Sequence, residues 1–241
     1  MILCPLWVKQ QPIAHRGLHG PGIPENSMAA FEAAIAQGYA IELDIHRLAD
    51  GPLVVFHDVD LWRLTGVQGR ITEQTTASLP SLALLGTQHP IPLLSEVLAQ
   101  VDGRAPLLIE IKNDGSVGAL ETELQRLLAR YRGQYAIQSF NPEVLGWFVR
   151  HAPGIPRGQL SSDFAGSDLA WPRKFLWRHL LLTGTSRPQF IAYDIRALPH
   201  WPVAIAAKLG LPVVAWTVRT EVDWQKAQQQ GSNIIFEHIR P

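Results

Sequence analysis

The chain has 241 residues, 46% of them hydrophobic and 17% charged, with 21 basic and 21 acidic side chains. This composition is typical of a globular protein and excludes a disordered chain, and the net charge of zero excludes the broad basic field of a nucleic-acid-binding protein. A single cysteine, Cys4, excludes an internal disulfide and a cysteine-rich zinc site.

The first residues, Met1 to Pro12, lack the basic start, the apolar run and the cleavage site of a signal peptide. No stretch of the chain approaches the roughly 18 apolar residues that are needed to cross a bilayer. We therefore expect a cytoplasmic protein that has no stable membrane insertion and no nucleic-acid partner.

Apolar runs alternate with helix-like segments along nearly the whole chain. Ser27 is a suitable N-cap for one helix and Gly38 a suitable end, whereas Pro172 is expected to break another. Residues 58–92 hold scattered Gly, Thr and Pro and are expected to form an irregular insertion. The predicted strands are 12–14, 39–46, 53–56, 106–111, 135–138, 158–160, 190–194, 212–217 and 233–236, and the predicted helices are 27–37, 95–100, 117–131, 142–150, 168–182, 201–208 and 221–230.

This alternation predicts an α/β fold in which parallel strands are joined by helical crossovers. About eight such strands in a chain of this length favour one domain, residues 1–241, with the TIM-type (β/α)8 barrel fold, which has about 250 residues. An open, doubly wound sheet is the alternative.

Three acidic residues lie in or at the end of two predicted strands. Glu42 and Asp44 are two residues apart, so their side chains point to the same face of the strand. Glu110 ends a different apolar strand and is available as a third ligand. Carboxylate oxygens favour Mg²⁺ or Ca²⁺, so this pattern predicts a site for a divalent cation. Ordinary solvated acids at strand ends are the alternative.

Two histidines follow short apolar runs and are expected at strand ends. His15 and His57 suit proton transfer near neutral pH, because an unperturbed pKa of about 6.5 leaves both protonation states accessible. A structural, hydrogen-bonded role is the alternative for each.

Two cations accompany these groups. Arg16 offers a planar fork for phosphate oxygens, and Gly17 leaves room for an approaching ligand. Lys112 shares a strand face with Glu110 and is a second candidate for phosphate binding, with a simple ion pair as the alternative.

These residues resemble the signature of the glycerophosphodiester phosphodiesterase family, and the resemblance covers nearly the whole chain in the family's order. The matching stretches are His15-Arg16-Gly17, Pro24-Glu25-Asn26-Ser27, Glu42-Leu43-Asp44, Asp50-Gly51, Val54 to Asp58, Leu64 to Gly69, Ile91 to Leu98, Glu110-Ile111-Lys112, Gln138-Ser139-Phe140 and Trp216-Thr217-Val218.

The resemblance implies a TIM-type barrel with a small insertion after the third strand. It also implies the hydrolysis of small-molecule glycerophosphodiesters to glycerol 3-phosphate and an alcohol with one divalent cation, Mg²⁺ or Ca²⁺. By analogy, His15 is the expected base and His57 the expected acid. The implied roles are metal ligation for Glu42, Asp44 and Glu110, acid–base catalysis for His15 and His57, phosphate binding for Arg16 and Lys112, substrate lining for Phe140 and Trp216, and support of the site for Glu25 and Asn26.

The chain departs from the family pattern near its end. Ile234-Ile235-Phe236-Glu237 stands where the family often has Ile-Ile-Thr-Asp, so Glu237 is the candidate replacement for that aspartate.

Two other functions are compatible with the sequence. Residues 169–182 are rich in tryptophan, leucine and basic residues and could rest on a membrane surface, which would suit a lysophospholipase D-like enzyme on the same barrel. A barrel helix with its apolar side turned inward is the preferred interpretation of that segment. A catalytically silent binding module for phosphorylated metabolites ranks last, because none of the expected histidines or ligands is missing.

Overall fold

The computed structural model describes residues 3–84, 86–113 and 115–241. The chain forms two compact units, a first unit of Ala14–Tyr135 and a second unit of Met1–Ile13 with Ala136–Pro241. The described helices are α1 Leu6–Gln10, α2 Met28–Ala36, α3 Trp62–Thr65, α4 Leu94–Val101, α5 Ala119–Leu128, α6 Pro142–His151, α7 Trp171–Arg178, α8 Thr183–Ser186, α9 Trp201–Lys208 and α10 Glu221–Gln229. The described strands are β1 Ile13–Ala14, β2 Ala40–Arg47, β3 Leu53–Val55, β4 Leu107–Ile111, β5 Tyr135–Ser139, β6 Arg157–Ser161, β7 Phe190–Asp194, β8 Val213–Val218 and β9 Asn233–Phe236.

The sheet of the first unit has β2 at its centre. β2 runs parallel to β4, and the register places Asp44 opposite Glu110. Both strands are almost entirely buried, as expected for parallel strands that are covered on both faces. Helix α2 precedes β2, and the side chain of Ser27 caps it by accepting a hydrogen bond from the Ala30 N–H at 3.1 Å.

The third strand differs from a barrel strand in its direction. β3 pairs with β2 in an antiparallel register, Ile45 with Val55 and Arg47 with Leu53. The reason is the tight turn around Gly51, which reverses the chain after only a few residues. The chain therefore returns along β2, and the Phe56 N–H donates to the Asp44 carbonyl oxygen at 3.0 Å.

An irregular segment follows β3, as the sequence predicts for residues 58–92. In its described part it contains α3 and two single 3₁₀ turns, Ile71–Glu73 and Leu79–Ser81. Its apolar side chains bury one another against β3 in a cluster of their own, formed by Leu48, Val54, Phe56, Leu61, Ile71, Leu79, Leu82, Leu84 and Ile91. Residue 85 of the predicted insertion lies outside the described residues.

The second unit contains a ladder of parallel strands in the order β5, β6, β7, β8 and β9. Helices connect successive strands, and two of them begin at predicted sites. Asn141 caps α6 by accepting from the Glu143 N–H, and Thr220 caps α10 by accepting from the Asp223 N–H. The α/β class predicted from the alternation is thus confirmed.

One predicted helix requires correction, and one helix was missed. Pro172 is the second residue of α7 and does not break a helix of 168–182, because proline is tolerated in the first helical turn, where its missing N–H would have no partner in the helix. Helix α1 was not predicted, because its five residues are too few to show a helical period. Among the described residues, no helix is long and apolar enough to cross a membrane.

Candidate active site

Three carboxylates from two neighbouring strands converge in the first unit. Glu42 and Asp44 alternate along β2 with the buried side chains of Leu43 and Ile45, so both acids occupy one face of the strand. Glu110 lies beside Asp44 in the next strand. One oxygen of each carboxylate lies within 4.8 Å of the others, and all three residues are buried. The structure therefore brings together the three acids that the sequence singled out.

Two cations face this cluster. The Lys112 Nζ atom lies 2.5 Å from Glu110 Oε1 and 3.2 Å from Asp44 Oδ1. The Arg16 Nε atom lies 3.4 Å from Asp44 Oδ2. Three ionised carboxylates exceed the two cations by one negative charge, and a bound dication or a proton on one carboxylate would relieve this excess.

One oxygen of the cluster is suited to coordinate a hard cation. Glu42 Oε2 accepts a hydrogen bond from the Arg16 backbone N–H at 2.9 Å. Glu42 Oε1 is buried and accepts no hydrogen bond from any residue that the structure describes. A buried carboxylate oxygen without a donor is costly unless a cation or a proton satisfies it. The donor set consists of oxygens alone, which suits Mg²⁺ or Ca²⁺.

The pKa values of the cluster reflect crowding of negative charge. Burial raises the pKa of Glu42 well above its usual range, and the charges of Asp44 and Glu110 raise it further. Burial also raises the pKa of Glu110, although Lys112 opposes this effect. Burial would raise the pKa of Asp44 too, but the nearby cations, Lys112 foremost, hold it below its usual range. A proton on Glu42 and a dication beside it are thus alternative ways to relieve the same repulsion.

Asn26 fixes the position of Asp44. Its Nδ2 donates to Asp44 Oδ2 at 2.9 Å, and the Asp44 N–H donates back to Asn26 Oδ1 at 3.4 Å. Asn26 is buried in a left-handed conformation with φ 55°, which asparagine tolerates better than most residues. The loop before α2 therefore holds Asp44 in position.

The turn at Arg16 and Gly17 presses the loop against α2. Both residues have positive φ, 54° and 77°. A Cβ atom on Gly17 would lie 2.8 Å from the Ala30 Cβ and from its backbone carbonyl carbon. The expectation that Gly17 leaves room for a ligand is therefore corrected: the glycine allows close approach of the backbone to the helix.

His57 belongs to a chain of charged groups. Its Nδ1 lies 2.6 Å from Asp58 Oδ1, and Arg63 Nε donates to Asp58 Oδ2 at 2.5 Å. Burial lowers the pKa of His57 to about 4, although Asp44 and Asp58 oppose this effect. A neutral ring that donates from Nδ1 to Asp58 presents the lone pair of Nε2, which is the arrangement of a general base.

The other histidines at the site have different surroundings. His15 is 9% exposed, and its Nε2 lies 3.9 Å from Glu42 Oε2. His46 Nε2 donates to the His57 carbonyl oxygen at 3.1 Å, which ties the backbone of His57 to β2. The structure therefore places His15 beside the carboxylates and uses His46 as a support.

Arg63 was missed by the sequence analysis. Its Nη1 and Nη2 donate to the two oxygens of Glu25 at 2.9 and 2.8 Å, and Glu25 in turn accepts from Arg16 Nη1 at 2.6 Å. Arg63 thus joins Glu25 and Asp58, the partners of Arg16 and His57. No signal identified it, because it lies in the irregular segment and has no neighbour with a strand or helix period.

The two predicted lining residues lie in the second unit, where they touch each other. The rings of Phe140 and Trp216 are edge to face, with centroids 5.6 Å apart. Phe164 continues the group, 5.8 Å from Phe140 and 5.9 Å from Trp177. These four rings form a connected aromatic wall that follows the ends of β5, β6 and β8.

The match to known proteins decides the family. The model of the glycerophosphoryl diester phosphodiesterase family matches residues 15–238, nearly the whole chain. The chain belongs to this family. The prediction that it is an enzyme of this phosphodiesterase class, a hydrolase, is thereby confirmed.

One member of the family resembles the chain over most of its length, and another over about half of it. A glycerophosphodiester phosphodiesterase of Bacillus subtilis is 30% identical over 253 aligned residues, which cover 93% of this chain and 82% of that protein. Lysophospholipase D GDPD1 of Homo sapiens is 34% identical over 136 residues, 51% of this chain and 42% of the relative.

A solved structure establishes the fold. A phosphodiesterase of Oleispira antarctica, in complex with the product sn-glycerol-3-phosphate, superposes with a TM-score of 0.80 and 25% identity over 94% of this chain and 92% of that one. The chain therefore has the TIM-type barrel fold with the additional strand β3, and the predicted fold class is confirmed.

The departure from the family pattern at the chain's end has a local partner. Glu237 is nearly buried, and its Oε2 accepts from Arg219 Nε at 2.6 Å. Its backbone N–H donates to the Val218 carbonyl oxygen. This carboxylate therefore fixes the segment after β8, two residues beyond Trp216.

Proposed function

We propose that the chain hydrolyses glycerophosphodiesters to glycerol 3-phosphate and an alcohol by metal-assisted acid–base catalysis. The observation that carries this proposal is the buried trio of Glu42, Asp44 and Glu110 with two cations and the His57–Asp58 pair in the same unit. Family membership and the product complex of the Oleispira antarctica relative support the substrate class.

The carboxylates of Glu42, Asp44 and Glu110 would hold one divalent cation, Mg²⁺ or Ca²⁺. When bound, this cation would neutralise negative charge on the non-bridging phosphate oxygens. Arg16 and Lys112 add fixed positive charge for the same oxygens, where negative charge grows during attack. Glu25 and Asn26 hold Arg16 and Asp44 in place. Their hydrogen bonds reduce the reorganisation needed when the phosphate arrives.

The histidines divide the proton transfers. The surroundings of His57 favour its role as the base, the reverse of the order given by analogy, because Asp58 at Nδ1 holds the neutral ring in the tautomer that presents the lone pair of Nε2. His57 Nε2 then takes the proton of the nucleophile, which is water or the glycerol 2-hydroxyl. His15 gives a proton to the departing alkoxide. The resemblance alone assigns Phe140 and Trp216 to the organic part of the substrate.

A release assay tests the proposed reaction. We expect glycerol 3-phosphate from glycerophosphocholine with Mg²⁺ or Ca²⁺, and loss of release with a chelator. Glu42→Gln removes one ligand charge and is expected to weaken the metal response, whereas Glu123→Gln, at a half-buried position on α5, is the control. Full turnover in chelator, or unchanged metal response of the Glu42 variant, would contradict metal assistance. Lack of turnover of any glycerophosphodiester despite metal binding would favour the silent binding module.

Lysophospholipids are the second candidate substrate. Two observations favour them: the similarity to human lysophospholipase D GDPD1 over 136 residues, and the exposed aromatic side chains of α7. Release of choline from lysophosphatidylcholine, at a kcat/KM above that for glycerophosphocholine, would favour this substrate. The substrate in either case is a small molecule, and the absence of a nucleic-acid partner and the cytoplasmic location stay predictions.

A further inference from the structure

An exposed row of aromatic rings crosses the surface of the second unit. Trp171 is 74% exposed, Phe175 44% and Trp201 61%. Trp171 stacks on Phe175 at 5.7 Å, Phe175 contacts His179 at 4.5 Å, and His179 lies 6.0 Å from Trp201. We call these four residues the aromatic strip. Large apolar side chains in contact with one another and with water are uncommon unless the surface binds something.

Helix α9 lengthens the strip with aliphatic side chains. Ile205 and Leu209 follow Trp201 at intervals of four residues, so the three lie on one side of the helix. Ile205 is 49% and Leu209 79% exposed. The apolar surface thus runs from the start of α7 to the end of α9.

Helix α7 turns one apolar side inward and leaves the other in contact with solvent. Trp177 packs against the buried ring of Phe164, and Leu180 just after the helix is buried, so part of segment 169–182 has the inward apolar side that the sequence favoured. The Trp177 carbonyl accepts from Ser161 Oγ at 2.9 Å, and the Arg178 carbonyl accepts from the Tyr193 hydroxyl at 3.1 Å. The core therefore does not need Trp171 and Phe175.

The charge around the strip is net positive, although the whole chain is neutral. Residues 168–209 contain six Lys or Arg and two acids, Asp168 and Asp194. Asp194 is paired with Arg196 at 2.6 Å. The cations next to the strip are Arg173, Lys174, Arg178 and Lys208. A surface of this kind attracts an anionic partner over a distance of about one Debye length, about 8 Å at physiological salt.

We propose that the aromatic strip and its cations dock this protein reversibly on a bilayer that contains anionic phospholipid. Tryptophan rings partition into the headgroup region, and lysine and arginine beside them pair with lipid phosphates. Both groups are present in one continuous surface. A second copy of the chain does not fit, because a symmetric pair would oppose the two positive surfaces. The aromatic strip would lie in the headgroup region of the bilayer and would not span it.

Vesicle flotation tests the docking. The purified full chain is mixed with phosphatidylcholine vesicles, with or without phosphatidylglycerol. We expect binding only to the vesicles with phosphatidylglycerol, and loss of that binding as the salt concentration rises. Trp171→Ser combined with Phe175→Ser, and separately Arg173→Glu combined with Lys174→Glu, are each expected to weaken binding at least about tenfold.

Matched controls separate docking from general effects of charge or exposure. Val222→Ser changes an exposed apolar residue on α10, and Arg130→Glu with Arg132→Glu reverses two exposed cations of the first unit. Neither control is expected to change binding. Thermal melting checks the fold of each variant. If the variant with both aromatic changes does not fold, the variant with both charge reversals tests the docking.

Three results would overturn the proposal. The first is equal binding to both kinds of vesicle, and the second is full binding by both strip variants. The third is a dimer in sedimentation velocity that the Trp171 and Phe175 changes dissociate, because the strip would then belong to a contact between copies.

Discussion

The proposed role of His57 depends on the groups that hold its Nδ1 atom, which is the ring nitrogen that does not take the proton. Asp58 contacts Nδ1, and Arg63 holds Asp58, so the ring has a fixed orientation before substrate arrives. Replacing His57 by alanine removes both the proton acceptor and this orientation. We expect turnover to fall at least about 10²-fold with substrate binding largely kept, since general base groups contribute 10² to 10⁴.

Steady-state kinetics on glycerophosphocholine measure this effect. His151→Ala, which changes a histidine on α6 of the second unit, is the matched control and should keep its turnover. Near-full turnover of the His57 variant would refute its role.

Arg63 is the position where the structure adds most to the sequence. It donates hydrogen bonds to both Glu25 and Asp58. Its side chain is 48% exposed, so we expect it to act by holding these two carboxylates in position more than by the strength of a buried charge. We expect Arg63→Met to lower kcat several-fold and to shift the acid limb of the kcat profile with pH, because Asp58 is released from its clamp. Arg63→Lys should restore part of the rate, since it restores the charge without the fork.

Arg126→Met supplies the control for Arg63. Arg126 is similarly exposed and also pairs with a glutamate, Glu123 at 2.6 Å, but it lies on α5. Equal losses in the two variants, or a pH profile of the Arg63 variant that matches the wild type, would show that Arg63 has no positioning role.

The lowered pKa of His57 also predicts how stability depends on pH. Its pKa is about 4 in the folded protein, against about 6.5 when unfolded. Between these values the unfolded state binds the proton and the folded state does not, so this group makes the protein less stable as pH falls from about 6.5 to 4. In urea unfolding experiments, the free energy of unfolding should fall less steeply with decreasing pH in His57→Asn than in the wild type over that interval. Identical slopes would contradict the lowered pKa.

Among the larger elements, the loop from Arg16 to Ser27 depends on a close contact with α2. Gly17 combines φ 77° with a Cβ position 2.8 Å from Ala30. Gly17→Ala therefore adds a clash to the strain of a left-handed residue, and we expect a loss of unfolding free energy of about 2 kcal/mol or more. Chemical denaturation of the purified variants measures this loss.

Gly38→Ala separates the two causes. Gly38 has φ 73°, but nothing lies within 4 Å of its Cβ position, so only the strain of about 1 kcal/mol applies. A loss at Gly17 no greater than that at Gly38 would contradict the close contact with α2.

The strands show which parts of the site a sequence can predict. Alternation along β2 put Glu42 and Asp44 on one face, and the apolar run that ends at Glu110 located the third acid. The antiparallel direction of β3 was not predicted from the sequence, although the short connection through Gly51 favours it, because parallel neighbours need a crossover of a dozen or more residues. The exposure of Trp171 and Phe175 was also missed, since helical spacing shows that an apolar side exists but not whether anything covers it.

At the scale of the whole molecule, the buried acids lead us to expect that the stability of the fold depends on whether a metal ion is bound. Burial and mutual repulsion raise the pKa values of Glu42 and Glu110, so the site without a cation keeps protons that a cation displaces. A ligand that binds only the folded chain stabilises it by about 2.7 kcal/mol at one hundred times its dissociation constant. We therefore expect Mg²⁺ or Ca²⁺ to raise the melting temperature by several degrees above that in chelator, and to release protons into a weak buffer.

The same measurement on Glu110→Gln distinguishes this site from general ionic effects. The variant keeps the size of the side chain and loses one ligand charge, so its melting temperature should respond weakly to the metal. Glu32→Gln, an exposed acid of α2 that pairs with Arg104, should respond as the wild type does. If the wild type gained no stability and released no protons with either ion, the three acids would instead be a cluster that Arg16, Lys112 and a proton on Glu42 neutralise by themselves.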